Sequence, residues 1–529
     1  MLKHHTWPLH IAGQDVDGAS WVHPVDVSLM LTDPRAAKQA ATAAANGEPA
    51  PGVIATVAVA GPDHVAAATK AAAEAFPAWR RTPLADRLAI GADIHHRILA
   101  HRDELAAVMM AEGYPSRVAQ WSIAGIAHSL SPEYLARSAA QMTREETVGN
   151  RRLLVRHLPD GVIAFHPPRN AAATLSCLAI PMMLAGNTLV MRAPTAVPAG
   201  VMYIFRELVL PALREAGAPA GVCNIVCGGA QDMLQAWLAD PLIDDIAFVG
   251  SSELGIQVGA QCVQHGKKPL LELAGNDGFV VWEDADLDRS VLAAAEAFLA
   301  STQICMVPKY VVAHPTIADE FITRLTTHVR DLRPGLPTDP DATLAPVAKA
   351  AEFLTMLTKS QDAGTTLLTG GSLIDLAGNP NPHGPFVQPT LIRVNGLDIA
   401  RTLPAVTEET FFPLLPIIVP EQGPDLLGQV LALLNANAYG LRNSLWATNP
   451  DTIDRFLTDI TNGGIIKVND SHSGTTPFLP THGGTGLSGG PFGETYYPLL
   501  RATHLQAVSI GTDIDVPDAL VTVDTGSRP

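Results

Sequence analysis

Cysteine is scarce in this sequence: five residues (Cys177, Cys223, Cys227, Cys262 and Cys305) in 529 are too thinly spread for a disulfide framework, and the odd count leaves at least one thiol free. A reducing, cytoplasmic setting is expected. Basic residues are also in the minority, 35 Lys and Arg against 52 Asp and Glu, for a formal net charge of −17. Such a charge repels nucleic acid and anionic lipid, so neither is an expected partner. Residues 1–22 carry histidines and polar groups where a secretory signal needs an unbroken apolar stretch, so export is not expected. Long hydrophobic runs are missing as well. The nearest approach, 171–186, is short for a membrane span and is interrupted by Pro181, so it reads as a buried helix. There is no repeat of fixed period and no low-complexity segment. His5, His166, His472 and His482 stand in no metal-ligand spacing, and no metal is expected.

Apolar material is plentiful. Hydrophobic residues make up 47% and charged residues 16%, enough for large buried cores in a chain long enough to divide into two or three lobes. After an opening that reads as irregular, 65–108 place Ala, Leu and Ile at helical spacing. Beyond Arg151, short apolar runs at 161–165, 187–191, 223–226 and 245–249 alternate with helical stretches at 199–216 and 230–239. This alternation predicts an α/β fold of βαβ units with a mainly parallel sheet, the architecture of nucleotide-binding lobes. A second alternation from Leu270, with strands at 278–281 and 310–313 around a helix over 287–300, predicts a separate lobe. The interval 370–384 reads as a surface loop, and 513–529 offers little to bury.

Two residues carry chemical promise through their surroundings. A cysteine is usually inert packing, but Cys305 follows the end of a helical stretch and precedes a strand, on the kind of connection where catalytic groups meet substrate. Glu272 is a lone carboxylate in the run Pro269-Leu270-Leu271-Glu272-Leu273-Ala274-Gly275. Its bland reading is a solvated residue at a strand edge. Its apolar neighbours would instead desolvate it and raise its pKa toward neutrality, which suits a general base.

From about residue 60 to about 505 the sequence resembles the aldehyde dehydrogenase superfamily. Leu271-Glu272-Leu273-Ala274-Gly275 is similar to the family's general-base motif and Gln303-Ile304-Cys305 to its nucleophile motif, at the family's spacing. Pro168-Arg169-Asn170 resembles a Pro-Trp-Asn motif whose Asn lines an oxyanion hole. Phe248-Val249-Gly250-Ser251-Ser252-Glu253-Leu254-Gly255 resembles the turn beneath the cofactor pyrophosphate. Glu408-Glu409-Thr410-Phe411-Phe412-Pro413 resembles a motif whose second Glu binds the nicotinamide ribose, and Val190-Met191-Arg192-Ala193-Pro194-Thr195 falls at the adenosine segment. Asn437-Ala438-Tyr439-Gly440-Leu441 and 464–469 match two further segments.

The resemblance implies two Rossmann-like parallel-sheet lobes and a small β oligomerisation element. The expected divisions are a cofactor lobe (1–140 and 160–271), a catalytic lobe (272–475), and an oligomerisation element with the C-terminal tail (141–159 and 476–529), in a homodimer or homotetramer. It implies NAD or NADP as cofactor, an aldehyde as substrate, and Cys305, Glu272 and Asn170 as catalytic residues. The cofactor-binding residues it implies are Pro168, Arg192, Thr195, Gly250, Ser251, Gly255, Glu409 and Phe411.

Several positions depart from the family. Thr195 stands where NAD-preferring members often carry Glu. With the Arg192 guanidinium nearby, this makes NADP acceptable and tips a near-even choice slightly toward it. Arg169, Phe412 and Asn276 replace the usual Trp, Gly and Lys. Small Ala171 and Ala172, with Ile304 and Met306 beside the nucleophile, point to a roomy apolar channel for bulky or long aldehydes. Two other readings stand beside hydrolytic oxidation. A coenzyme A-acylating enzyme of this family often lacks the Glu found here, and a non-catalytic scaffold would not need Cys305, Glu272, Asn170 and Glu409 together.

Overall fold

The computed structural model describes residues 3–476 and 478–511, so the tail at 513–529 lies outside the described residues. Each of the two alternations builds a seven-stranded sheet. In the first, Lys268–Glu272, Asp245–Val249, Val162–His166, Thr188–Pro194 and Cys223–Gly228 lie side by side and parallel, and Leu9–Ile11 and Gln14–Val16 extend the sheet antiparallel. Every residue of the strands Val162–His166, Thr188–Pro194, Cys223–Gly228 and Asp245–Val249 is buried. Burial on both faces explains why these strands read as continuous apolar runs rather than alternating ones.

The opening is not irregular. His5–Trp7 and Ser20–Val22 flank Ala55–Val59 in a three-stranded sheet, and the helices Val27–Thr32 and Pro34–Ala45 lie between, capped by Asp26 and Asp33. Three-residue strands are too short for a periodicity to show. The run at 171–186 folds as two short buried helices, Ala172–Ser176 and Ala179–Leu184. Pro181 sits in the first turn of the second helix, where a missing N–H costs no intrahelical bond. Among the described residues no helix is long and apolar enough to cross a membrane.

In the second sheet the order is Thr366–Thr369, Thr390–Asn395, Leu414–Val419, Pro308–Ala313, Asp277–Val281, Arg442–Trp446 and Ile465–Val468, parallel except for the first. The interval expected as a plain loop contains the strand Leu373–Ile374, paired with Phe386–Val387. The helix expected over 287–300 is α-helical only over Leu287–Ala294 and continues as a tighter turn, Ala295–Thr302. There Ala300, Ser301 and Thr302 take φ of 47°, 55° and 64°, a left-handed conformation costly for residues with a Cβ. It is held by paired hydrogen bonds, 2.8 and 3.0 Å, between the Ser301 hydroxyl and the backbone of Ala345, and by Thr302 Oγ1 donating to Ala297 O at 2.7 Å.

A third unit, Thr143–Val148, Arg151–Pro159 and Thr503–Gly511, forms a three-stranded antiparallel sheet. The two large sheets meet in one orientation. The carboxyl ends of the first sheet's strands, near His166, Val249 and Glu272, share a cleft with the amino ends of Asp277–Val281, Pro308–Ala313 and Arg442–Trp446. Crevices outside the carboxyl ends of parallel strands are where such sheets bind ligands.

Candidate active site

A cavity of about 740 Å³ occupies this cleft, and Cys305, Glu272 and Asn170 all line it. Glu272 is the last residue of its strand. Asn170 lies on the connection after Val162–His166, and Cys305 on the connection between the left-handed turn and the strand Pro308–Ala313. The segment after Glu272 must lie directly on the Cys305 backbone: a Cβ on Gly275 would fall 2.3 Å from the Cys305 carbonyl oxygen. Only glycine permits that approach.

Burial pushes the Glu272 carboxyl up to about 7. The Tyr496 hydroxyl donates to Oε1 and the Gly483 N–H donates to Oε2 at 3.2 Å, and both oppose the rise, as do Arg501 and Arg442. The Cys305 thiol is pushed up to about 12, first by burial and then by the Glu409, Asp277 and Glu272 carboxylates, with Lys309 opposing. Asn170 Nδ2 donates to the Gln303 carbonyl at 2.9 Å, which places an amide donor beside the connection that carries Cys305.

Lys309 and Tyr496 escaped sequence reading. Lys309 is fully buried, and its ammonium donates to the carbonyls of Thr302, Ile304 and Thr410 at 3.1, 3.0 and 2.9 Å. It ties the turn before Cys305 to the segment of Glu409 and Phe411, whose ring centroid lies 5.2 Å away. A cation inside the apolar run Val307-Pro308-Lys309-Tyr310-Val311 was a readable signal of the same kind as Glu272. Tyr496, far off in the chain, carried none. Behind the cavity wall, His472 joins Asp277 Oδ2 at 3.2 Å to Ser444 Oγ at 2.6 Å, and its carbonyl accepts from Arg442 at 2.8 Å. All three residues are buried and none lines the cavity, so this group braces Arg442, which does line it.

The residues expected to hold a dinucleotide do not line this cavity but ring the neighbouring strand ends. Pro168 follows Val162–His166, Arg192 and Thr195 stand at the end of Thr188–Pro194, and Gly250 and Ser251 lead into the helix Ser252–Gln264. Ser251 caps that helix, accepting from Leu254 N at 3.5 Å. Its first-turn amides lack intrahelical partners and suit a phosphate. Gly255 packs so tightly that a Cβ would lie 2.1 Å from the Leu273 side chain. Glu409 Oε1 accepts from Gly275 N at 2.9 Å, so the segment of Glu409 and Phe411 reaches the side of the cleft that carries Cys305.

Arg192 does not present its charge at this edge. It is 4% exposed, donates to Gly228 O at 2.9 Å, and meets His166 Nε2 at 3.1 Å. Burial and Arg192 together push His166 down to about 3, leaving a neutral acceptor. The case for a 2′-phosphate then rests on the absence of a carboxylate at Thr195 alone. Phe412 is buried against Phe353, centroids 5.7 Å apart, and fills the second lobe's core. Arg169 is exposed and lines the cavity. Among the described residues no group of three or more His, Cys, Asp or Glu is disposed to hold a metal.

Comparison with known proteins gives three kinds of likeness. The sequence profile of the aldehyde dehydrogenase family matches residues 37–507. Succinate-semialdehyde dehydrogenase [NADP(+)] of Escherichia coli is 31% identical, over 77% of this chain and 82% of that protein. Vanillin dehydrogenase of Pseudomonas fluorescens is 29% identical, over 86% and 92%. The crystal structure of an NAD-dependent aldehyde dehydrogenase from Sinorhizobium meliloti superposes with a TM-score of 0.81 at 26% identity, covering 98% of this chain and 97% of that one.

Proposed function

The chain belongs to the aldehyde dehydrogenase family, and on that footing we propose that it oxidises a bulky or apolar aldehyde to the carboxylic acid through a thioester on Cys305, with NAD or NADP as cofactor. The observation that carries this is the convergence of Cys305, Glu272 and Asn170, from three distant parts of the chain, on one cavity. The Cys305 sulfur adds to the aldehyde carbon, and the thiol proton leaves for a base, with Glu272 in the same cavity. The new oxyanion needs waiting donors. The Asn170 amide and the Cys305 N–H supply them, each typically worth about 3–4 kcal/mol of barrier. A nicotinamide held beside Cys305 would supply the hydride acceptor that turns the thiohemiacetal into the thioester. Glu272, once it has passed the first proton to solvent, takes a proton from water as the water attacks the thioester, and returns it to the departing thiolate as the acid is released.

The first-turn amides of the helix Ser252–Gln264, with Gly250, Ser251 and Gly255, would hold the pyrophosphate; Pro168 and Thr195 would line the adenosine side, with Arg192 buried behind that edge, and Glu409 and Phe411 the nicotinamide side. The sheet ending at Glu272 serves as cofactor lobe (1–140 and 160–271), the second sheet as catalytic lobe (272–475), and the antiparallel unit (141–159 with the C-terminal region) as the contact of a homodimer or homotetramer. All five cysteines are free thiols, which supports a reducing, cytoplasmic setting.

The substrate reading rests on the cavity wall, where apolar residues, among them Val118, Trp121, Leu175, Ile304 and Met306, outnumber polar ones. A second reading is favoured by Arg169, an exposed guanidinium beside Asn170 that suits an aldehyde with a distal carboxylate. The test is rapid mixing with decanal, benzaldehyde, acetaldehyde and succinate semialdehyde, with each cofactor, with and without coenzyme A. Expected are a burst of reduced cofactor with decanal or benzaldehyde, its loss in Cys305→Ser, and a burst without steady turnover in Glu272→Gln. More efficient turnover of acetaldehyde would overturn the apolar reading, a preference for the semialdehyde would select the second, and dependence on coenzyme A would replace hydrolysis with acylation. An inert Cys305 would leave only a scaffold.

A further inference from the structure

The helix Val27–Thr32 lies ahead of the residues that the family profile matches, yet three of its side chains, Val27, Met30 and Leu31, line the cavity that holds Cys305. It is six residues long and none of them is fully buried, so packing against its own lobe does not account for its place. It is nevertheless pinned at several points. Asp26 Oδ1 accepts from Ser28 N at 2.7 Å, and Asp26 N donates to Gly52 O at 2.8 Å. Gly52 makes room for Leu29, since a Cβ there would lie 2.5 Å from Leu29 Cδ2, and Val27 rests against Gly113, which also lines the cavity. On the other side, Leu31 packs against Leu344, Ile374 and Phe386 of the second lobe. The helix therefore bridges the two lobes across the cleft.

Its faces divide accordingly. Leu29 points to the first lobe and Leu31 reaches the second, while Val27 and Met30, three apart and so on one face, turn to the cavity. Met30 remains 51% exposed, a large flexible apolar group that gains only when something apolar covers it.

We infer that the helix Val27–Thr32 is the outer wall of the aldehyde channel and that Met30, with Val27, contacts the far apolar end of the substrate and sets its preferred length. This rests on the apolar-aldehyde reading above and adds the element that selects for it. The contact acts on binding in both ground and transition states, so it changes kcat/KM for long aldehydes and not for those too short to reach it.

The test compares kcat/KM for decanal with that for propanal in the wild type, Met30→Asp and Met30→Leu. Met30→Asp is expected to lower the decanal-to-propanal ratio about tenfold or more, and Met30→Leu, which keeps an apolar group of similar volume, to retain it. A ratio unchanged in Met30→Asp, or lowered equally in Met30→Leu, would overturn the inference while leaving the apolar-aldehyde reading intact. A wild type that favours propanal would remove that reading and the inference with it.

Discussion

Two donors from one late segment of the chain, the Tyr496 hydroxyl and the Gly483 amide, meet the Glu272 carboxylate. Donors to a carboxylate favour its ionised form, so both hold the group lower than burial alone would. Removing the phenol hydroxyl therefore raises the pKa further. In the proposed mechanism hydrolysis needs the ionised base, so the steady rate of the wild type is expected to rise with pH through about 7. In Tyr496→Phe that acid limb is expected to move to higher pH by on the order of one unit, with slower steady turnover at neutral pH. The burst of reduced cofactor, which precedes hydrolysis, keeps its amplitude. A pH profile of steady turnover beside the burst amplitude checks this, and a limb that stays put or moves to lower pH would show that Tyr496 does not position the base. Glu272 itself was legible because a charge in an apolar run is conspicuous in one dimension. Tyr496 was not, because its meaning is a contact across more than two hundred residues of chain.

Local segments show the same division between pattern and contact. Glu112 ends the helix Arg102–Ala111, and its carboxylate accepts from the amides of Ala199 and Gly200 at 2.6 and 2.9 Å, at the start of another helix. Burial pushes its pKa up to about 7 against those two amides. A carboxyl whose folded-state pKa lies above its ordinary 4.5 contributes most when protonated, and that contribution is lost as pH rises through about 7. Glu112→Ala leaves two amides without an acceptor, a cost of about 1–3 kcal/mol for each buried group. A clearly lower melting temperature by circular dichroism at pH 6 is the expected result, and an unchanged one would mean that water replaces the carboxylate. Long apolar strands and regular helices were readable from period and composition. The left-handed turn over Ala300–Thr302 was not, since nothing in Leu299-Ala300-Ser301-Thr302 favours φ above zero. That conformation is imposed by Ala345 and Ala297, which the turn meets only once the lobe has closed.

At the scale of the molecule, the antiparallel unit leaves Val148, Val155 and Leu505 at 58%, 38% and 63% exposure. The strand register puts them on one face, because Val155 pairs with Ala507, two residues from Leu505, and Val148 pairs with Arg151, on the same side of its strand as Val155. In the homodimer or homotetramer proposed above, these three open apolar side chains are where a second copy would pack. Leu505→Asp is expected to shift the protein toward monomer in analytical ultracentrifugation, with its circular dichroism unchanged; an unaltered sedimentation coefficient would place the contact elsewhere.

Period and composition were enough to establish an α/β chain with parallel sheets and to mark Glu272, because burial on both faces and a charge among apolar neighbours leave marks along the chain itself, whereas Cys305 as nucleophile and Asn170 as its partner were read from the resemblance of their motifs to the family's. Only the tertiary structure decided that Arg192 turns inward, that Lys309 holds the turn before Cys305 and Tyr496 the Glu272 carboxylate, and that the helix Val27–Thr32 crosses the cleft. These are distances between residues remote in sequence, and they come into being only when the two sheets pack with the strand ends of one against the strand starts of the other.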